Sequence, residues 1–183
     1  MSLLGFKGQN HPQQVGKRAA LDSVDDRGTD PEFFAQMVER FGPFDLDAAA
    51  APHNAKCERY YTINDDALEQ PWRGKVWCNP PYSNLGEWVQ KAKREYTLGH
   101  ASLIVMLLPA NRTEQAWWQD HIEPYRDRRE AFGPRVEFLR GRLRFVKPGA
   151  ESIGPNERPP FGCCLVMWAL SEHRAAVDHG VTS

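Results

Sequence analysis

The sequence predicts an α/β sandwich with a mostly parallel sheet and an antiparallel finish. Three observations carry that expectation. Residues 102–108 are almost wholly apolar, as suits a central parallel strand covered on both faces. Short strand-like runs alternate with helix-like runs from Asp30 to Trp118. Strand-like pieces over 136–146 and 161–170 then flank a Gly- and Pro-rich stretch, 147–160, which suggests an antiparallel pair at a sheet edge.

Taken in order, residues 1–28 are polar, punctuated by Gly, Pro and Gln, and read as a poorly ordered arm. A helix begins near Asp30. Thr29 and Glu32 have capping-box spacing, and Pro31 suits a first turn. Phe33, Phe34, Met37, Val38 and Phe41 recur at helical spacing until Gly42-Pro43 stops them. Residues 44–47 read as a short strand entering a run of alanines. Tyr60 and Tyr61 suggest another strand, and residues 64–66 a turn. Residues 75–78 form a strand-like run ending at Asn79. Asn84 and Glu87 repeat the capping-box spacing and open a helix whose Leu85, Trp88, Val89, Ala92 and Tyr96 share one face. Gly99 ends it. After the central strand and Pro109, Asn111 and Glu114 open a helix holding Trp117 and Trp118. The organisation is an arm, one domain over 29–175, and a tail over 176–183.

A chain of 183 residues can bury one ordinary core. Its formal net charge of −1 weighs against a binder driven by overall charge. Locally the balance differs: Arg135, Arg140, Arg142, Arg144 and Lys147 face a single acid, Glu137, in that stretch. The cysteines lack zinc-site spacing, so no metal is expected, and Cys163 and Cys164 read as buried thiols. No apolar run is long enough to span a membrane and no leader is evident, so the cytoplasm is the expected compartment.

Polar clusters fall at three expected strand ends: Asp47-Ala48-Ala49, Asp65-Asp66 and Asn79-Pro80-Pro81-Tyr82. Open α/β sheets bind ligands at such ends. Alanines after Asp47 let the backbone approach a bulky cofactor, although they equally suit the start of a helix. A carboxylate at the end of an apolar strand needs a partner, and a ribose hydroxyl or an ammonium would serve. At Asn79 the logic is sharper. Its side-chain oxygen accepts a hydrogen bond from an amine. Pro80 has no N–H and leaves a carbonyl facing outward. Pro81 stiffens the turn, and Tyr82 offers a ring face for stacking. The set suits a planar, nitrogen-bearing group, with a plain rigid turn as the alternative.

The tetrapeptide matches the Asp/Asn/Ser-Pro-Pro-Tyr/Phe/Trp motif of amino-methyltransferases that use S-adenosylmethionine. Around it stand Thr29-Asp30-Pro31-x-Phe33, Phe41-Gly42-x-Phe44-Asp45-Leu46-Asp47-Ala48-Ala49-Ala50, Asn54-Ala55-x-Cys57 and Trp72-x-Gly74, in that order. Over roughly residues 28–170 this resembles the phage-type DNA N6-adenine methyltransferases, the small Dam-like enzymes. The resemblance implies a class I, Rossmann-like fold with S-adenosylmethionine as cofactor and double-stranded DNA as partner, in a monomer or homodimer. It implies that Thr29 and Asp30 close over the cofactor and that Asp47, Ala48 and Ala49 line it. Asp66, in preference to Asp65, reaches the cofactor or the target adenine. Asn79 and Pro80 grip the N6 amino group, and Tyr82 stacks on the flipped base. The alanine loop departs from the usual glycine-rich loop but agrees with the phage branch.

Arg112, Arg140, Arg142, Arg144 and Lys147 are the candidates for phosphate or base-edge contacts, with DNA-facing loops expected within 111–160. Arg140, Arg142 and Arg144 share strand parity, which would make one face basic. Enzymes acting on RNA adenine or a glutamine amide use the same tetrapeptide logic. A non-catalytic DNA-binding protein on the same scaffold is the third reading.

Overall fold

The computed structural model describes residues 28–128, 133–146, 159 and 161–178. The Lys147 expectation lies outside these residues, as do nearly all of the arm and the end of the tail.

Seven strands are present among the described residues: β1 (Gly28–Thr29), β2 (Leu46–Asp47), β3 (Gly74–Cys78), β4 (Ala101–Pro109), β5 (Arg135–Phe138), β6 (Phe145–Val146) and β7 (Cys163–Ala169). Five of them form one sheet in the order β2-β3-β4-β7-β5. β2, β3 and β4 run parallel, while β7 is antiparallel to both β4 and β5. A parallel bridge from Asp47 to Tyr60 adds one more residue pair beyond β2. The mostly parallel sheet with an antiparallel finish is therefore present, with β5 as the edge. The expected strand at Tyr60 is reduced to that single bridge.

Helix α1 (Pro31–Phe41) is capped by Asp30, whose Oδ1 accepts from the Glu32 N–H at 2.9 Å. The cap thus falls one residue after the expected Thr29, which is paired in β1 instead. Phe33, Met37 and Phe41 lie one turn apart on the buried face, and Gly42 ends the helix at φ 78°. Helix α2 (Leu85–Thr97) buries Leu85, Val89, Ala92 and Tyr96, and the Tyr96 hydroxyl donates to the Ala169 carbonyl at 3.0 Å. Helix α3 (Ala116–His121) starts later than Asn111 predicts and buries Trp117 and Trp118. Helix α4 (Arg174–Asp178) packs Val177 inward. Arg40 donates from Nε to the Ala176 carbonyl and from Nη2 to that of Val177. These bonds tie α4 to α1.

The sheet divides two cores. α1 and α4 cover Trp77, Leu103, Val105, Leu107, Leu165 and Met167. α2 and α3 cover Val76, Ile104, Met106, Leu108, Val166 and Trp168. Alternate residues of β4 enter opposite cores, which is why its sequence is apolar without a break. Each such side chain contributes about 1.5–3 kcal/mol on leaving water.

Gly74 joins the two ends of the resemblance pattern. It sits at φ 75°, and a Cβ there would collide with the Asp45 carboxylate. That carboxylate accepts from the Lys75 N–H at 2.7 Å, and Asp45 N–H donates to the Lys75 carbonyl at 2.8 Å. The paired contacts fix where β2 begins relative to β3, and so where both strands end.

Candidate active site

The chain leaves β2 outward toward Tyr60 and later re-enters on the other side at β3. The gap between the two strand ends is a topological switch point, the usual ligand crevice of an open sheet. Leu46 pairs with Val76 and Asp47 with Trp77. Continuing that register brings Ala48 level with Cys78 and Ala49 level with Asn79. The Ala48 N–H donates to the Trp77 carbonyl at 2.9 Å, so the register does continue into the loop. Two of the three sequence clusters are thereby brought together.

Asp47 is buried, at 3% exposure. Its Oδ1 accepts from the Ala49 N–H at 3.3 Å and its Oδ2 from the Lys56 N–H at 3.0 Å. Burial pushes the carboxyl up to about 6, against the opposing pull of those two bonds and of the Lys56 charge. Both oxygens thus hold the loop that follows. Ala48 and Ala49 form bends and Ala50 and Ala51 are irregular, so the alanines do not start a helix. Asn54 completes that loop by accepting from the Ala51 N–H at 2.7 Å.

Thr29 is buried in β1, which pairs with β6 as Gly28 opposite Val146 and Thr29 opposite Phe145. A Cβ on Gly28 would sit 3.4 Å from that of Asn54, so this ribbon packs directly on the alanine loop. Asp30 lies close enough to raise the Lys56 ammonium electrostatically, although burial is the larger influence and lowers it. Residues 29 and 30 therefore do gather at the alanine loop. Asp65 is engaged within its own turn, accepting from the Thr62 N–H and hydroxyl at 2.7 and 2.6 Å. Asp66 is exposed and holds a left-handed φ of 51°.

At the end of β3, Asn79 is half-buried and Pro80 buried. Tyr82, expected to stack on the flipped base, is enclosed in this structure. It is only 6% exposed, its ring lies 6.0 Å from that of Phe161, and its hydroxyl meets the Cys163 thiol. A base can stack on it only after Tyr82 or Phe161 shifts. Burial keeps both polar groups protonated, raising the phenol well above its ordinary value and pushing the Cys163 thiol up to about 11. Phe161 was not visible as a site residue in the sequence, because its approach to Tyr82 depends on how β7 pairs with β4.

The basic stretch also differs from expectation. β5 ends at Phe138 and β6 resumes at Phe145, so residues 140–144 are not a strand. Gly141 at φ 77° breaks the alternation, and the shared-parity argument lapses. Arg140 and Arg142 are exposed and Arg144 half-buried. Arg112 turns toward the site, its Nη1 donating to the Tyr82 carbonyl at 2.9 Å. Among the described residues no His/Cys/Asp/Glu group could hold a metal ion, and no helix is long and apolar enough to cross a membrane.

The family model described as DNA N-6-adenine-methyltransferase (Dam) matches residues 18–177. The chain belongs to the Dam family. The DNA N-6-adenine-methyltransferase of Escherichia phage T1 is 38% identical over 119 residues, covering 63% of this chain and 44% of that protein. The enzyme of the same description from Haemophilus phage HP1 (strain HP1c1) is 41% identical over 66 residues, covering 36% of this chain and 38% of the relative. The chain thus spans less than half the length of these two relatives. Membership in the Dam family accords with the class I, Rossmann-like sheet and with the topological switch point between β2 and β3.

The donor set suits S-adenosylmethionine. The small side chain of half-buried Ala49 leaves room for close backbone approach, while Ala48 is fully buried in the core, and the acidic groups flanking the loop suit a cationic ligand. Of the expected set, Ala49 and Asp30 are the partly exposed residues that would hold it, with buried Ala48 and Thr29 behind them.

Proposed function

We propose that this chain methylates the exocyclic N6 of adenine in double-stranded DNA, with S-adenosylmethionine as donor. The observation that carries the proposal is the β2–β3 register, which sets the alanine loop beside Asn79-Pro80 in a chain of the Dam family. Bound at that loop, the donor would supply an electrophilic sulfonium methyl, its S–CH3 bond breaking as the N–C bond forms, and would leave as the neutral thioether S-adenosylhomocysteine.

The chain's own residues do the rest. The Asn79 side-chain oxygen and the Pro80 carbonyl accept the two N–H bonds of the adenine amine. Drawing both protons toward oxygen turns the nitrogen lone pair out of conjugation with the ring. The rigid prolines hold those acceptors in place, so alignment and fixed dipoles lower the barrier. Neither Tyr82 nor Cys163 serves as a base, since burial keeps both protonated. The proton leaves to solvent after transfer. A base inside a duplex cannot reach this turn, so the adenine must flip out. Exposed Arg140 and Arg142, with Arg144 beside them, are the groups we assign to the DNA backbone or base edges. The reaction belongs to the cytoplasm of a bacterial host.

The test is transfer of labelled methyl from S-adenosylmethionine to mixed-sequence duplex DNA, followed by mapping of N6-methyladenine. Label in a reproducible set of adenines is the expected result. Label confined to RNA or to protein glutamine, or DNA retention without transfer, would replace this reading with one of its rivals.

A further inference from the structure

The Asn79–Tyr82 turn has an unusual weakness. Pro80 and Pro81 contribute no N–H groups, so the turn cannot be closed by hydrogen bonds from its own centre. At the start of the helix that follows, Asn84 makes no cap bond to the backbone, and its Nδ2 donates to the Glu87 carboxylate instead. Contacts from outside the turn therefore bear on its geometry. One donor comes from the loop after β4: the Arg112 Nη1 donates to the Tyr82 carbonyl at 2.9 Å. That loop is itself anchored, with the Ala110 N–H bonded to the Gly162 carbonyl at 2.9 Å and the Gln115 N–H to the Arg112 carbonyl at 3.2 Å. A guanidinium is a permanently charged, planar donor, which makes such a bond stronger and more directional than a neutral one.

We propose that Arg112 is a positioning residue of this turn: by holding the Tyr82 carbonyl, it sets the direction in which the Asn79 and Pro80 oxygens face the amine. The inference rests on the reading of Asn79-Pro80 as the amine-gripping pair. It departs from the expectation that Arg112 contacts DNA phosphate, and the two roles separate experimentally. A phosphate contact is restored by any cation of similar reach. A fixed carbonyl clamp is restored only in part by the flexible ammonium of lysine.

The experiment uses the full chain as wild type, Arg112→Ala and Arg112→Lys. Hydrogen exchange is followed over residues 79–86 without DNA, and methyl transfer and duplex binding are measured at two salt concentrations. Arg112→Ala should speed exchange at Tyr82 to Asn84 by about tenfold, the loss of one net hydrogen bond, with exchange in β4 and β7 unchanged. The kcat should fall by up to about 100-fold, as for a small misplacement of reacting groups, with duplex Kd and its salt slope unchanged. Arg112→Lys should lie between wild type and alanine in both readouts. Unchanged exchange in Arg112→Ala overturns the proposal. So does weaker duplex binding with a salt slope lower by about 0.9, normal kcat at saturating DNA and full recovery in Arg112→Lys, since these describe a phosphate contact. Absence of transfer by the wild type would sink the methylation reading alone, because the exchange result judges the clamp independently.

Discussion

Asp47→Asn tests whether the buried carboxylate supports the loop at an electrostatic cost. Asp47 is almost fully buried, and its carboxyl is pushed up to about 6 from 3.8 in the unfolded chain. Its folded pKa is raised, so the folded state binds the proton more tightly. Stability linked to this group is therefore fully present below the unfolded value and is lost as pH rises through about 6. At about 1.4 kcal/mol per unit the whole change is on the order of 3 kcal/mol, of which about 2 kcal/mol falls between pH ~4.5 and pH ~7.5. Asparagine does not titrate and keeps one acceptor for the Ala49 and Lys56 N–H groups, leaving the other unmatched at a cost of about 1–3 kcal/mol. Urea unfolding of both proteins at the two pH values measures the double difference, in which every other titrating group cancels. The stability advantage of wild type over Asp47→Asn should shrink by about 2 kcal/mol on going to the higher pH. An advantage that is constant, or that grows with pH, would refute the claim that burial dominates this carboxyl.

Asn79→Ala should retain the fold and bind S-adenosylmethionine while losing about 100- to 1000-fold in kcat, the usual effect of removing one fixed polar contact to the reacting group. Steady-state transfer alongside calorimetric cofactor titration checks it, and normal turnover would remove Asn79 from the chemistry. Arg142→Ala should weaken duplex binding more at low than at high salt, lowering the salt slope by about 0.9 if one phosphate contact is lost. Equal binding at both salts would take Arg142 off the interface. Glu95→Ala should destabilise by about 3–5 kcal/mol in denaturant, since it strands the buried Lys91 ammonium. Glu95 accepts from Lys91 Nζ at 2.7 Å, from the Trp72 N–H at 3.2 Å and meets His100 Nδ1 at 2.9 Å. Burial alone would raise its carboxyl, but those bonds outweigh it and hold the carboxyl below its usual value. A loss within experimental error would mean that Lys91 escapes to water.

Local rules carried the elements whose residues act on their neighbours. The Phe33, Met37, Phe41 spacing made α1 legible, and the unbroken apolar run made β4 legible, because each reports the burial of its own faces. The tetrapeptide's placement after β3 was legible for the same reason. Contacts between distant segments were not. That the Asp47 oxygens turn to Ala49 and Lys56 depends on a loop whose path no local pattern encodes. The closing of Tyr82 by Phe161 depends on the antiparallel insertion of β7 beside β4. Arg142 and Arg144 kept strand parity on paper, yet one left-handed glycine between Arg140 and Arg142 removes the strand that parity requires.

The β1–β6 ribbon joins segments more than 100 residues apart through only two residue pairs, Gly28 with Val146 and Thr29 with Phe145. Such a contact has a large closure entropy and little local reward, so it forms after the sheet has already brought its ends together. A chain emerging from the ribosome can thus complete β2, β3 and the Asn79–Tyr82 turn before anything covers the alanine loop. The same order in reverse makes the ribbon the first piece to fray under mild denaturant. Exposure of the crevice would then precede global unfolding, and the site would be lost while most of the core still stood.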